Sequence, residues 1–120
     1  MEGRTTGIID IAEDVWTQLG PGFSERIYHN ALEVGLRKRG IDYQSEVIIP
    51  VEYMGHNIGN VRADLIVDGV IVELKSIAQI KACSELQATM YCKLLGVHDY
   101  IVLNFPPSPG ELQYVSKRLV

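Results

Sequence analysis

The order of hydrophobic patterns along this chain predicts an α/β sandwich around a mixed sheet. Helical periodicity opens the sequence twice, three strand-like runs follow, and a third helix and two further strands complete it. In the middle stands Asp68-Gly69, the strongest short hairpin signal, between runs rich in Val and Ile. With 120 residues and no repeat, low-complexity stretch or linker, the chain reads as one domain, residues 1–120. Such a length buries a core without disulfides or a structural metal.

A first helix is expected from about Thr6 to Leu19, where Ile8, Ile11, Ala12, Val15 and Leu19 recur at helical spacing. Trp16 should pack it onto the domain or a partner, and Gly20-Pro21-Gly22 stops it. Ser24 suits the N-cap of a second helix reaching Arg39, with Ile27, Ala31, Leu32 and Leu36 among its apolar positions and Gly40 as its end. Tyr43 to Val51 is rich in strand formers, Pro50 marks a bend or an edge, and Gly55-His56-Asn57 reads as a turn. Ile58 to Val67 and Val70 to Lys75 form the hairpin around Asp68-Gly69. A third helix follows from Ala82 to Leu95, capped by Gly96. Tyr100 to Asn104 is a short buried strand, and after a Pro-rich loop Gln113 to Leu119 is the last one.

If Asp68 and Gly69 form the loop, Val67 faces Val70, Ile66 faces Ile71, Asp64 faces Glu73 and Arg62 faces Lys75. Alternation then places Arg62, Asp64, Glu73 and Lys75 on one face. Ala63, Leu65, Val67, Val70, Val72 and Leu74 fill the other, an apolar surface suited to a core. Like charges directly across a strand pair are destabilising, so facing carboxylates beside a lysine suggest a divalent-cation site on the floor of a cleft. Asp64, Glu73 and a nearby main-chain carbonyl offer the oxygen ligands that Mg²⁺ or Mn²⁺ wants, with positions left for water and phosphate. Lys75 could orient or help deprotonate that water and stabilise charge on a phosphate oxygen. The same residues also fit an exposed hairpin face with ordinary charges and a diagonal Asp64–Lys75 pair. Glu25 and Tyr28 share a face of the second helix, where Glu25 equally suits the helix dipole. Gln87 and Tyr91 share a face of the third, and interfacial polar packing explains that pair as well.

Bulk properties narrow the classes. A formal charge of −4 argues against a binder relying on a strongly basic footprint, yet not against an enzyme acting on nucleic acid, because site carboxylates count until a metal neutralises them. Arg37-Lys38-Arg39 and Lys117-Arg118 are either basic patches or solvated element ends. Cys83 and Cys92 lie on one expected helix, roughly 13 Å apart by its rise, too far for a disulfide. Their spacing matches no zinc site either, which leaves free, mostly buried thiols. His29, His56 and His98 have no metal-binding spacing and read as surface or structural. No run reaches the roughly 18 apolar residues of a membrane helix, and the opening Met-Glu-Gly-Arg-Thr-Thr-Gly is unlike a signal peptide. A soluble cytoplasmic protein is the expectation. No P-loop, Rossmann fingerprint or nucleophile elbow is present.

Taken together, these motifs resemble a family. Gly22-Phe-Ser-Glu25-Arg-Ile-Tyr28 matches the pattern for which the GxxExxY proteins are named. Asp64 followed by Glu73-Leu74-Lys75 resembles the core of the PD-(D/E)XK nuclease superfamily, in which those proteins are placed. Gln87-Ala-Thr-Met-Tyr91 is similar to the Gln-x-x-x-Tyr element of its RecB-like branch, and Asn104-Phe105 to an Asn-Phe near the family's C-terminus. The resemblance runs from about Ile8 to the end; Ala63 stands where the superfamily name has Pro, and Pro106 where a small residue is usual. It implies a restriction-endonuclease-like αβββαβ core, a mixed sheet flanked by helices, with an extra N-terminal helix. Asp64 and Glu73 would then hold Mg²⁺ or Mn²⁺ with the Leu74 carbonyl available, and Glu25 would support the metal directly or through water. Lys75 would serve the attacking water and the phosphate, Gln87 would steady the site, and Tyr91 and Tyr28 would pack or bind beside it.

The resulting expectation is a metal-dependent nuclease acting on DNA or RNA, with a homodimer as an attractive way to place two sites on two strands. A catalytically inactive binding or regulatory module, or a plain structural subunit, are the alternatives.

Overall fold

A computed structural model describes residues 2–119, with side chains from Thr5 onward. The elements are α1 (Glu2–Leu19), α2 (Glu25–Lys38), β1 (Tyr43–Tyr53), β2 (His56–Val67), β3 (Val70–Lys75), α3 (Ala82–Leu95), β4 (Asp99–Asn104) and β5 (Gln113–Arg118). Their order and types are those expected, and the sheet is mixed. Its strands run β1-β2-β3-β4-β5, with β3 and β4 parallel and every other neighbour pair antiparallel. The parallel pair needs a crossover, which α3 supplies.

Each face of the sheet carries its own core. On the α1/α2 side, Ile8, Ile11, Trp16, Leu32 and Leu36 pack against Leu65, Val67, Val70, Val72, Leu74, Ile101 and Leu103. On the other side, Ala88, Tyr91 and Cys92 of α3 pack against Ile49, Ile71, Tyr100 and Val102. Glu85 fixes α3 in place, accepting a hydrogen bond from the Tyr100 hydroxyl (2.8 Å) and pairing with Lys117 (3.1 Å). At Gly35, where a Cβ would lie 2.4 Å from the Ile11 Cγ2, α1 and α2 approach most closely.

An aromatic stack joins both N-terminal helices to the end of β4. Tyr28 and Phe105 lie parallel with centroids 4.5 Å apart, and Trp16 is tilted against both at 6.3 and 6.2 Å. The Trp16 indole N–H donates to the Gly110 carbonyl (2.9 Å), so the Pro-rich loop is held down as well. Trp16 thus packs α1 onto its own domain.

Several boundaries differ from expectation for physical reasons. α1 begins at Glu2 rather than Thr6, since apolar spacing marks only the buried part of a helix. β1 and β2 run further, to a turn at Met54-Gly55 instead of Gly55-His56-Asn57. Both central residues there have positive φ (51° and 81°), as at Asp68-Gly69 (48° and 78°), the left-handed pair that a two-residue hairpin needs. Outside its short contact with β3 the β1–β2 pair is covered by α3 around Ile49 and Ala63, and further out it exposes Ile48, Tyr53, Met54 and Ile58. Pro50 does lie on an edge strand, with a bulge just beyond it between Val51 and Glu52. Of the thiols, Cys92 is buried but Cys83 is exposed, and both are free. Among the described residues no helix is long and apolar enough to cross a membrane.

Phe105 is fully buried, so Phe105→Ala should lower unfolding free energy in urea by about 3–5 kcal/mol. Tyr28→Phe keeps the stacked ring and loses the two hydrogen bonds of its hydroxyl, a cost of about 1–3 kcal/mol.

Candidate active site

The expected hairpin register holds at Val67↔Val70, Ile66↔Ile71 and Leu65↔Val72, and there the β2–β3 ladder stops. Side chains take over from main chain at the next step. The Asp64 carboxylate accepts from the Leu74 N–H (2.8 Å), while the Glu73 carboxylate accepts from the Asp64 N–H (2.8 Å). Asp64 and Glu73 therefore stand beside each other in a gap between two strands, each satisfying a donor that regular pairing would have used. In extended backbone the N–H and C=O of one residue point to the same side, so the Leu74 carbonyl also faces this gap.

Two expected details change here. Arg62 does not face Lys75, because the ladder has already ended; its partner is Glu46 of β1, at 3.5 Å. Ala63 leaves the α1/α2 core and is buried on the α3 side with Ile49 and Tyr91. Regular alternation breaks opposite Glu46, whose φ of 53° kinks β1.

Lys75, the last residue of β3, extends toward α3 and donates to the Gln87 side-chain oxygen (3.2 Å). The Gln87 amide nitrogen in turn donates to the Tyr91 hydroxyl (3.0 Å). Main-chain bonds fix Lys75 from the other side, its carbonyl accepting from Phe105 N–H (2.9 Å). Asn104, completely buried, then pairs with the following loop as a strand would: its side chain accepts from Ile77 N–H (2.9 Å) and donates to the Ile77 carbonyl (2.7 Å). The Asn104-Phe105 pair thereby sets the exit of the chain from the lysine, a structural role that the bare motif does not disclose. Pro106 leaves that role intact.

Glu25 is the first residue of α2, and its placement explains the spacing around it. Gly22 turns the chain at φ 109°, a value that side chains disfavour. One turn into α2, the Tyr28 hydroxyl reaches back to donate to the Gly20 carbonyl (2.7 Å) and accepts from Phe23 N–H (3.3 Å). Tyr28 thus ties down the loop that delivers Glu25. Its exposure is 0%, so of the two expected roles, packing or binding beside the site, its contacts are those of packing. Tyr91 is alike: 2% exposed and engaged by Gln87, it packs beneath that side chain. Helical spacing assigns a face but not a depth.

Charge accumulates in the gap. Glu73 is 2% exposed, and burial followed by the Asp64 charge pushes its carboxyl up to about 8. Partial burial, and then Asp64 again, raises Glu25 above the ordinary carboxylate value, with Lys75 acting in the opposite direction. Burial and the negative charges of Glu73 and Asp64 likewise raise Tyr91. A divalent cation fits this donor set: hard oxygens from Asp64, Glu73 and the Leu74 carbonyl, in a place where negative charge is expensive. Among the described residues no three His, Cys, Asp or Glu side chains form a ready-made cage, so water and phosphate would complete the coordination. The carboxylates do not floor a deep pocket. Asp64 and Lys75 are half-exposed, and a groove of about 520 Å³ lies elsewhere, between α1 and α2 beside Ile11, Val15 and Val34.

Sequence spacing gave no sign of Glu46, which bridges Arg26 (2.5 Å) and Arg62 (3.5 Å) at the rim; only pairing of β1 with β2 brings it there. The basic runs, by contrast, are partly neutralised within the fold. Arg37 pairs with Glu33 (3.7 Å), Lys117 with Glu85 (3.1 Å) and Arg118 with Asp99 (3.1 Å). His29 is structural, its ring bonded to Ser45 (2.9 Å) and Glu33 (2.8 Å) between α2 and β1.

A model of the PD-(D/E)XK nuclease superfamily matches residues 2–117. No curated protein matches the chain. Among solved structures, the crystal structure of SSO0001 is similar in fold, with a TM-score of 0.60 at 20% identity, over 78% of this chain and 49% of that one. The chain thus spans about half the length of that neighbour.

The raised Glu73 value fixes a pH dependence. Without metal, the folded protein holds the Glu73 proton up to about 8 and the unfolded chain only to 4.5, so the stabilisation is full below 4.5 and is lost as pH rises through 8. The melting temperature of the metal-free protein should fall across that window, and Glu73→Gln should flatten the fall.

Proposed function

The chain belongs to the PD-(D/E)XK nuclease superfamily, and from that membership we propose a metal-dependent nuclease that hydrolyses phosphodiester bonds of DNA. One observation carries the reading. The β2–β3 ladder opens where Asp64 and Glu73 meet, next to the lysine that ends β3 and the glutamate that starts α2.

Asp64, Glu73 and the Leu74 carbonyl would hold Mg²⁺ or Mn²⁺, with Glu25 joining directly or through water. When bound, the cation would supply Lewis-acid polarisation of phosphate and a lowered pKa for water. Everything else falls to side chains of this chain. Lys75 places its ammonium at the non-bridging phosphate oxygen, where negative charge grows in the transition state, and orients the incoming water. Gln87 holds the Lys75 ammonium at a fixed point, and Tyr91 holds Gln87, so the charge is preorganised rather than swept through solvent. In-line attack by the water oxygen forms one P–O bond as the opposite one breaks; the attacking water gives its proton to solvent, and the leaving oxygen takes one from solvent.

A second reading, a nuclease-fold module that binds without cutting, draws support from the acidic balance of the chain, a formal charge of −4. Single-stranded, duplex and branched DNA, with RNA alongside, separate the two in Mg²⁺ or Mn²⁺. Cleavage should fall at least about a hundredfold in Asp64→Ala and in Lys75→Ala, and about tenfold in Gln87→Ala. Activity that survives the first two substitutions sinks the nuclease. Calorimetry should show Mg²⁺ or Mn²⁺ binding that Glu73→Ala abolishes. No cleavage, together with no metal-dependent rise in melting temperature, favours the binding module.

A further inference from the structure

A polyanion approaching Glu25, Asp64 and Glu73 meets repulsion, and the chain as a whole carries −4. Attraction must come from positive charge close to the carboxylates. Two arginines have that position in sequence: Arg26 directly follows Glu25, and Arg62 lies two residues before Asp64. They arise from different elements, α2 and β2, and a third element joins them. Glu46 of β1 accepts from Arg26 Nη2 at 2.5 Å, and its same oxygen lies 3.5 Å from Arg62 Nη1.

The join is made at a backbone cost. Glu46 has φ 53° in mid-strand, opposite Asp64, between the regular pairs Ser45↔Leu65 and Val47↔Ala63. A side chain in left-handed backbone costs about 1 kcal/mol or more, and such strain gathers at functional positions. The two arginine side chains remain about half exposed, at 50% and 55%. Each guanidinium carries five N–H donors, so one bond through Arg26 Nη2 and an ion pair at Arg62 Nη1 leave donors for a second acceptor. One carboxylate between two guanidiniums leaves a net positive charge at the rim.

We propose that Arg26 and Arg62, aligned by Glu46, form a clamp for the phosphate backbone of the DNA strand, next to the carboxylate site. The clamp deepens the nuclease reading and rests on it for the identity of the strand. Guanidinium forks match phosphate oxygens in pairs, which a lysine ammonium does not. Glu46 is a positioning residue: it holds two long side chains in register before the strand arrives, reducing the rotamer freedom lost on binding.

Fluorescence anisotropy with a short labelled DNA, single-stranded and duplex, measured in Ca²⁺ over a range of salt, tests the clamp. Arg26→Ala and Arg62→Ala should each weaken binding about three- to tenfold and flatten the salt dependence by about one phosphate contact. Lys38→Ala, an equal charge change at the far end of α2, should leave affinity near wild type. Glu46→Ala removes a negative charge and yet should weaken binding, because both forks come loose. Equal losses in Lys38→Ala, tighter binding by Glu46→Ala, or no binding by the wild type overturns the clamp. Melting temperatures near wild type for the arginine variants exclude loss of fold. Binding without cleavage in any metal would refute the nuclease reading and leave the clamp to be judged by its salt slope.

Discussion

Everything at the site depends on a hydrogen-bond substitution in the middle of the sheet. Where β2 and β3 should continue to pair, the Asp64 and Glu73 carboxylates accept the N–H groups instead. A buried donor left without an acceptor costs about 1–3 kcal/mol, so the ladder can open here only because the carboxylates fill it. The same bonds fix those carboxylates without help from rotamer packing. Burial of Glu73 beside Asp64 is then the electrostatic cost of the arrangement.

The remaining site residues are positioned by structure that makes no contact with the reacting atoms. Tyr28 holds the turn before Glu25 and stacks on Phe105; Phe105 bonds to the Lys75 carbonyl; Asn104 holds the loop beyond. Residues far apart in sequence thus form one rigid bracket behind Glu25 and Lys75. On the α3 side, the Glu85 contacts to Tyr100 and Lys117 keep the helix seated, so Gln87 meets the lysine at a constant height. Family membership and bracket agree in direction, since a preorganised electrostatic site needs a stiff second layer more than a deep pocket.

Much of this was legible in the residues. Long periodic stretches marked every element, and Asp68-Gly69 fixed the register of the central hairpin as far as Leu65 and Val72. Counting beyond that point assumed an unbroken ladder, which is why Arg62 was set against Lys75. Alternation cannot show that side chains will replace main-chain bonds. The turn at Met54-Gly55 escaped for a smaller reason: Gly55 takes the second turn position, whereas Asn57 makes a local bond to the Gly59 N–H (2.9 Å) inside the strand. Tyr28 and Tyr91 shared faces with Glu25 and Gln87 as the spacing implied, but at a depth no periodicity encodes. Glu46 was invisible because its meaning lies in two arginines on other elements.

The long β1–β2 ribbon raises a question of aggregation. An edge strand exposing Ile48, Tyr53 and nearby Ile58 is the kind of template onto which another chain's strand can add. β1 interrupts its free edge three times: the kink at Glu46, the missing N–H of Pro50, and the bulge after Val51. On β1 no straight run of unpaired donors and acceptors remains for a foreign strand to follow. β5, the opposite edge, is a short strand of six residues. The kink that brings Arg26 and Arg62 to one carboxylate therefore also breaks up the free edge of β1.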